Sequence, residues 1–214
     1  MKAIIRFAIT FVISYGLCLF MFQTNLLSGI INRFNKAVCT SWISTTLPSA
    51  DISTQDINDK TKSASDIYLV YGNPLLIQKA KEEARQSKQA YATLPTKSME
   101  LHLFEMFVVP LFFILSLFVA TPIAWKEKLK GLVISFVLLY AVILLKLLML
   151  SLFEISNSRI GVYELGDSSM NLLSKVLGIF TLGLSLSLAF ILWLIFGFRK
   201  SSFVDHFKLL LGNK

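Results

Sequence analysis

Hydrophobic residues gather in long runs separated by shorter mixed segments, and the runs organise the chain. Residues 103–124 are almost wholly apolar, with Glu105 as their only charge before the polar turn Trp125-Lys126-Glu127-Lys128-Leu129-Lys130-Gly131. A second run, 132–153, follows and is interrupted only by Lys146. A hydrocarbon core needs about 20 apolar residues per helix, so the stretch reads as a transmembrane helical hairpin. Pro110 predicts a kink in its first arm. Two further runs occupy 7–22, preceded by Lys2 and Arg6, and 176–198, followed by Arg199 and Lys200. The first has the charged start of a signal peptide without a small-x-small cleavage site, which predicts an uncleaved signal anchor. The last carries Gly178, Thr181, Gly183, Ser185 and Ser187, small residues that let helices approach closely.

Residues 23–102 are patterned differently. Leu26, Leu27, Ile30, Ile31, Phe34, Val38 and Trp42 fall at helical spacing. They predict an amphipathic helix over 26–43 that either lies in the interface or packs on the outer segment. Residues 49–66 are poor in apolar groups and read as an exposed loop. Ile67 to Tyr71 is a short β-prone run, and Asn73-Pro74 predicts the capped start of a helix over 74–92. Pro95 closes that helix, and a linker leads to Met99.

The expected fold is an all-α membrane protein with four transmembrane helices and both termini inside. A small, mostly helical extracytoplasmic segment lies between the first two spans. The pieces are a first span at 1–22, the outer segment at 23–102, a three-helix bundle at 103–198 and an amphipathic cytoplasmic tail at 199–214.

Composition agrees. The 214 residues are 55% hydrophobic and 16% charged, with a mean hydropathy of +0.66, whereas soluble domains carry about 25% charged residues. The net charge of +8 raises the question of nucleic acid, but its distribution answers it. The proposed cytoplasmic pieces hold nine basic residues against Glu127 and Asp205, while the outer segment holds nine basic against seven acidic. That is a positive-inside bias, with basic flanks facing anionic lipid, and it predicts no nucleic-acid partner.

Candidate chemistry is sparse. Glu105 and Lys146 are the charges well inside the hairpin, where ionisable groups are costly and invite a functional reading. They predict an ion pair near the outer surface, or two side chains that reach separately to the headgroups. His102, with Arg159 on the opposing loop, extends this to a polar outer mouth of His102, Glu105, Lys146 and Arg159. Trp42 and Trp125 are placed as interfacial anchors at the outer and inner faces. Cys18 lies in the first span and Cys39 outside it, so no disulfide framework is expected. No metal-ligand, nucleotide or catalytic motif is present in the sequence, and no cofactor, metal or catalytic residue is predicted.

The stretch Ala120-Thr121-Pro122-Ile123-Ala124-Trp125-Lys126-Glu127-Lys128-Leu129-Lys130-Gly131, followed by a Leu-rich span, resembles the central hairpin of the exosortase/archaeosortase superfamily. The resemblance implies a Cys, an Arg and a His at outer helix ends. This chain instead offers His102 and Glu105, then Lys146 and Arg159, and the last span begins Ser168-Ser169-Met170-Asn171 without a His. It is closer to small, non-catalytic exosortase-associated membrane proteins. The implied role is that of a non-enzymatic accessory protein of the bacterial inner membrane, working with the bilayer and another membrane protein. Two other readings compete: a cysteine transpeptidase or peptidase using Cys39 with His102 or Arg159, and a small transporter or channel subunit using Glu105 and Lys146.

Overall fold

A computed structural model describes residues 2–57, 66–87, 93–181 and 183–201. In chain order its elements are α1 (Lys2–Gln23), α2 (Asn25–Thr46), β1 (Asp51–Asp56), β2 (Asp66–Gly72), α3 (Pro74–Gln86) and β3 (Thr96–His102). A π-turn (Phe104–Val108), α4 (Val109–Ala120), α5 (Trp125–Asn157), α6 (Asp167–Thr181), α7 (Leu184–Phe196) and a 3-10 turn (Phe198–Lys200) follow. The chain divides into two compact units. One comprises Met1–Ile31, Glu105–Ile143 and Leu182–Lys214, and the other Asn32–Phe104 and Leu144–Thr181.

The first unit is helical and apolar; α5 begins in it and runs on into the second unit, which also holds α6. Ile4–Gln23 and Trp125–Asn157 are each long and apolar enough to cross a membrane, and a third crossing is available if α6 and α7 are read as one span. None of the apolar window of α1 is buried within the protein, as a surface meant for lipid tails requires. The first hairpin arm is shorter than its apolar run. The chain is still a strand at His102, and Thr121 turns to an extended conformation before Pro122, because a proline disfavours a helical residue ahead of it. Pro110, which lacks an N–H, sits just past the π-turn at the first turn of α4. The expected lysine turn is itself helical. Trp125 to Gly131 open α5, so the connection shrinks to residues 121–124. The last run is broken too: α6 begins at Asp167, and Gly183 adopts φ +80° between α6 and α7, a conformation glycine enters without steric cost.

Helix α4 packs against both α1 and α7. Phe113 meets Phe11 and Tyr15 edge-on at 5.5 and 6.1 Å, and Phe112 meets Phe22 at 6.1 Å. On the α7 side the Trp193 indole N–H donates to Thr121 Oγ1 at 2.7 Å, and the Trp193 ring stacks on Phe7 at 5.5 Å. Thr121 and Ser116 donate back to Leu117 O and Phe112 O, so these hydroxyls are satisfied without water.

The second unit corrects the all-α expectation. Residues 51–56, placed in an exposed loop, and 96–102, placed partly in a linker, are strands on either side of β2. They form an antiparallel sheet of order β1-β2-β3. Alternation sends Ile67, Leu69 and Tyr71, with Met99 and Leu101, into the core. Helix α2 covers the expected 26–43, but its buried face is Asn35, Cys39 and Ile43. The apolar stripe of Ile30, Phe34 and Trp42 is instead 63%, 59% and 38% exposed. Lys36 bonds Asp56 at 2.6 Å and Thr40 meets Thr54 at 3.0 Å, which ties α2 to β1. Asn73 caps α3 as predicted, accepting from Leu75 N at 3.0 Å. Residues 88–92 of the expected helix, and 202–214 of the amphipathic tail, lie outside the described residues.

Candidate functional site

Among the described residues, a group of chemically active side chains gathers on the face of the sheet opposite the core. The β2–β3 ladder sets Asp66 directly across from His102, and Glu100 stands two residues before His102 on the same face. His102 Nδ1 lies 3.3 Å from Asp66 Oδ1 and 3.9 Å from Glu100 Oε1. The three offer donor atoms within 4.8 Å of one another. Their side chains are graded in exposure, with Asp66 at 10%, Glu100 at 26% and His102 at 55%. A protonated imidazole here pairs with both carboxylates, and the mixed O and N donor set is also one that a divalent transition metal accepts. Farther along this face, Gln55, Tyr68, Val70, Thr96, Lys97 and Ser98 line a shallow polar cleft of about 170 Å³.

The opposite face of the sheet holds the segment 158–165 in place. Tyr71 Oη meets Ser158 Oγ at 2.8 Å, Asn73 Nδ2 donates to Ile160 O at 3.2 Å, and Ser49 N donates to Tyr163 Oη at 2.9 Å. Leu165 N donates to Ser156 Oγ at 2.9 Å. These bonds sustain a backbone that visits the left-handed region at Arg159 (φ 49°), Gly161 (φ 81°) and Tyr163 (φ 52°). Two of the three are non-glycine residues, which reach that region only when their surroundings hold them there. Burial pushes the Tyr71 hydroxyl above its ordinary value, an effect the Ser158 hydrogen bond partly offsets.

The four residues predicted to form a polar mouth are divided between the two units. His102 joins Asp66 and Glu100, Arg159 stands exposed in the pinned loop, and Lys146 is half-buried on α5, all within the second unit. Glu105 belongs to the first unit and is exposed on the π-turn. The sheet register also gathers three possible donor atoms that no linear motif announces.

Cys39 is fully buried, and burial pushes its thiol up to about 12. That places the thiol well above the lowered range of an activated cysteine. Among the described residues, no hydrogen bond or ion pair joins it to His102 or Arg159. Trp42 is 38% exposed, and Trp125 is 71% exposed with Lys128 Nζ 5.5 Å above its ring. Both exposures suit interfacial anchors. No protein-family model, curated protein or solved structure matches the chain.

Proposed function

We propose that the chain is a non-enzymatic accessory protein of the bacterial inner membrane that engages another membrane protein through its extracytoplasmic segment, residues 23–102. In this reading α1, α4, α5 and the α6–α7 pair supply four crossings, both termini are cytoplasmic, and residues 23–102 lie outside. The contacts of α4 with both α1 and α7 support a shared membrane layer for these helices. The basic residues at the start of α5 and after α7 support an inner location for those ends. A role beside an exosortase-type sorting system rests on the hairpin resemblance.

The observation that carries the non-enzymatic reading is Cys39. It is the one thiol of the outer segment, and its burial with a pKa near 12 favours a structural role over a transpeptidase-type nucleophile. What the outer segment does present is an ordered polar sheet face of Gln55, Tyr68, Ser98 and the His102 cluster. A photo-crosslinking amino acid placed at Gln55 or Ser98 in living cells should capture one defined membrane protein, while placement at Phe20 on α1 should not. A chain that crosslinks to nothing from the sheet face and purifies in mild detergent only as a lone monomer refutes the proposal. Cys39→Ala should leave the captured partner unchanged; loss of cellular function with the fold intact would favour the cysteine-enzyme reading.

A further inference from the structure

Within the first unit, Lys130, Gly131, Ile134, Ile195, Phe196 and Arg199 line a cleft of about 400 Å³. We infer that this cleft binds an anionic phospholipid, with the phosphate held between Lys130 and Arg199 and an acyl chain lying along Ile134 and Ile195.

The argument begins with helix register. Lys130 and Ile134 are four residues apart on α5 and so share a face. Ile195 lies in the last turn of α7, and Arg199 follows four residues later in the 3-10 turn. Each helix therefore presents the same sequence of chemistry: a cation at its polar end and an isoleucine toward its apolar body. Ile134 and Ile195 are 37% and 50% exposed, which leaves apolar surface for a lipid tail to cover. Lys130 and Arg199 are also exposed, so their charged ends are free to reach a headgroup.

The floor of the cleft depends on a close approach. A Cβ at Gly131 would stand 2.8 Å from Phe118 Cε1 and 3.0 Å from the carbonyl oxygen of Phe196. Only glycine lets α5 meet the end of α7 this closely, and that approach brings the two cations to one cleft. An ammonium and a guanidinium over an apolar groove complement a phosphodiester with hydrocarbon attached. They disfavour a zwitterionic headgroup, whose own ammonium would have to sit near theirs. A free phosphate would leave the isoleucines uncovered.

The test uses the full chain in mild detergent, titrated with dioleoyl phosphatidylglycerol or dioleoyl phosphatidylcholine and read by native mass spectrometry. The wild type should bind phosphatidylglycerol roughly tenfold or more in preference, given two cations at a lipid surface. Lys130→Gln with Arg199→Gln should abolish the preference. Arg6→Gln with Lys126→Gln removes the same charge outside the cleft and should keep it. Ile195→Trp, which fills the groove and leaves both cations, should weaken binding of phosphatidylglycerol. Equal loss in the two charge-removal pairs would mean diffuse attraction and would overturn the site. Full competition by glycerol phosphate would mean a headgroup-only anion site and would overturn the lipid assignment, as would a wild type without preference.

Discussion

The sheet of the second unit and helix α1 of the first treat apolar surface in opposite ways. In the second, Leu69, Tyr71, Leu101, Cys39 and Ile43 are sealed in a core while the other side of the sheet stays polar, the arrangement that water imposes. In the first, α1 leaves Ile9, Val12, Ile13, Leu17 and Phe20 more than half exposed, and lipid costs such surface nothing. What holds α1 and α7 to α4 includes aromatic packing and satisfied hydroxyls, such as Phe113 against Phe11 and Tyr15 and Thr121 bonded to Trp193. One chain thus uses leucine in two roles, and its burial separates them.

The sharpest way to break this contrast is to remove the same side chain from each unit. Leu69→Ala, at a fully buried position, should cost about 2–5 kcal/mol of second-unit stability. Leu17→Ala, at a position 55% exposed, should cost no more than about 0.5 kcal/mol. Limited proteolysis under increasing denaturant in one detergent reads both. Equal costs would mean that α1 is covered by protein and that the distinction between the units is false.

Alkaline titration tests the same contrast through Cys39. Its thiol is raised from the ordinary 9.0 to about 12 by burial, so the unfolded chain releases this proton first. Stability is full below pH 9 and falls as pH rises toward 12, with a slope approaching 1.4 kcal/mol per pH unit. Tyr71, also raised by burial, adds to the loss from about pH 10, its ordinary value. The loss should be read by Trp42 in the second unit and not by Trp125 or Trp193 in the first, using variants that keep one tryptophan at a time. Cys39→Ala should remove the part that begins near pH 9. An unchanged alkaline profile in that variant would show that the thiol is reachable by water.

What the sequence conveyed follows the same division. The apolar runs were legible because a bilayer demands length and composition, both of which are local. Asn73-Pro74 was legible because a cap is a local bond. The sheet was not. Asp51–Asp56 holds a single apolar residue, Ile52, and becomes a strand only because β2 lends it partners. Thr96–His102 does alternate, with Met99 and Leu101 inward, and that signal could have found β3. The Asp66–Glu100–His102 group was beyond reach because register, not spacing, assembles it. On α2 the visible stripe left two placements open, and the face that packs is the neighbouring one through Asn35, Cys39 and Ile43.

In the first unit, Gly131→Ala probes the close approach of helices directly. The added carbon meets Phe118 and the backbone of Phe196, and overpacking of this kind costs about 1–3 kcal/mol. Gly178→Ala, where open space surrounds the position, should be neutral or stabilising through helix propensity. Thermal unfolding of both variants in detergent separates a glycine that packing requires from one that it does not. Equal responses would mean that the α5–α7 approach is loose.

A modest loss is expected at the pinned loop. Tyr71→Phe keeps a ring that is only 2% exposed and removes one hydroxyl. Ser158 Oγ remains satisfied through its 2.6 Å bond to Glu154 O, so the cost should stay near 0.5–1 kcal/mol, that of one hydrogen bond whose partner is not orphaned. Asn73→Ala removes both the α3 cap and the bond to Ile160 O, and should cost about 1–2 kcal/mol. Hydrogen exchange should find faster opening at 158–165 in both variants and no change in α1 or α4. Opening that spread into those helices would make the two units a single cooperative body, and the contrast in how they bury apolar surface would then describe two faces of one core.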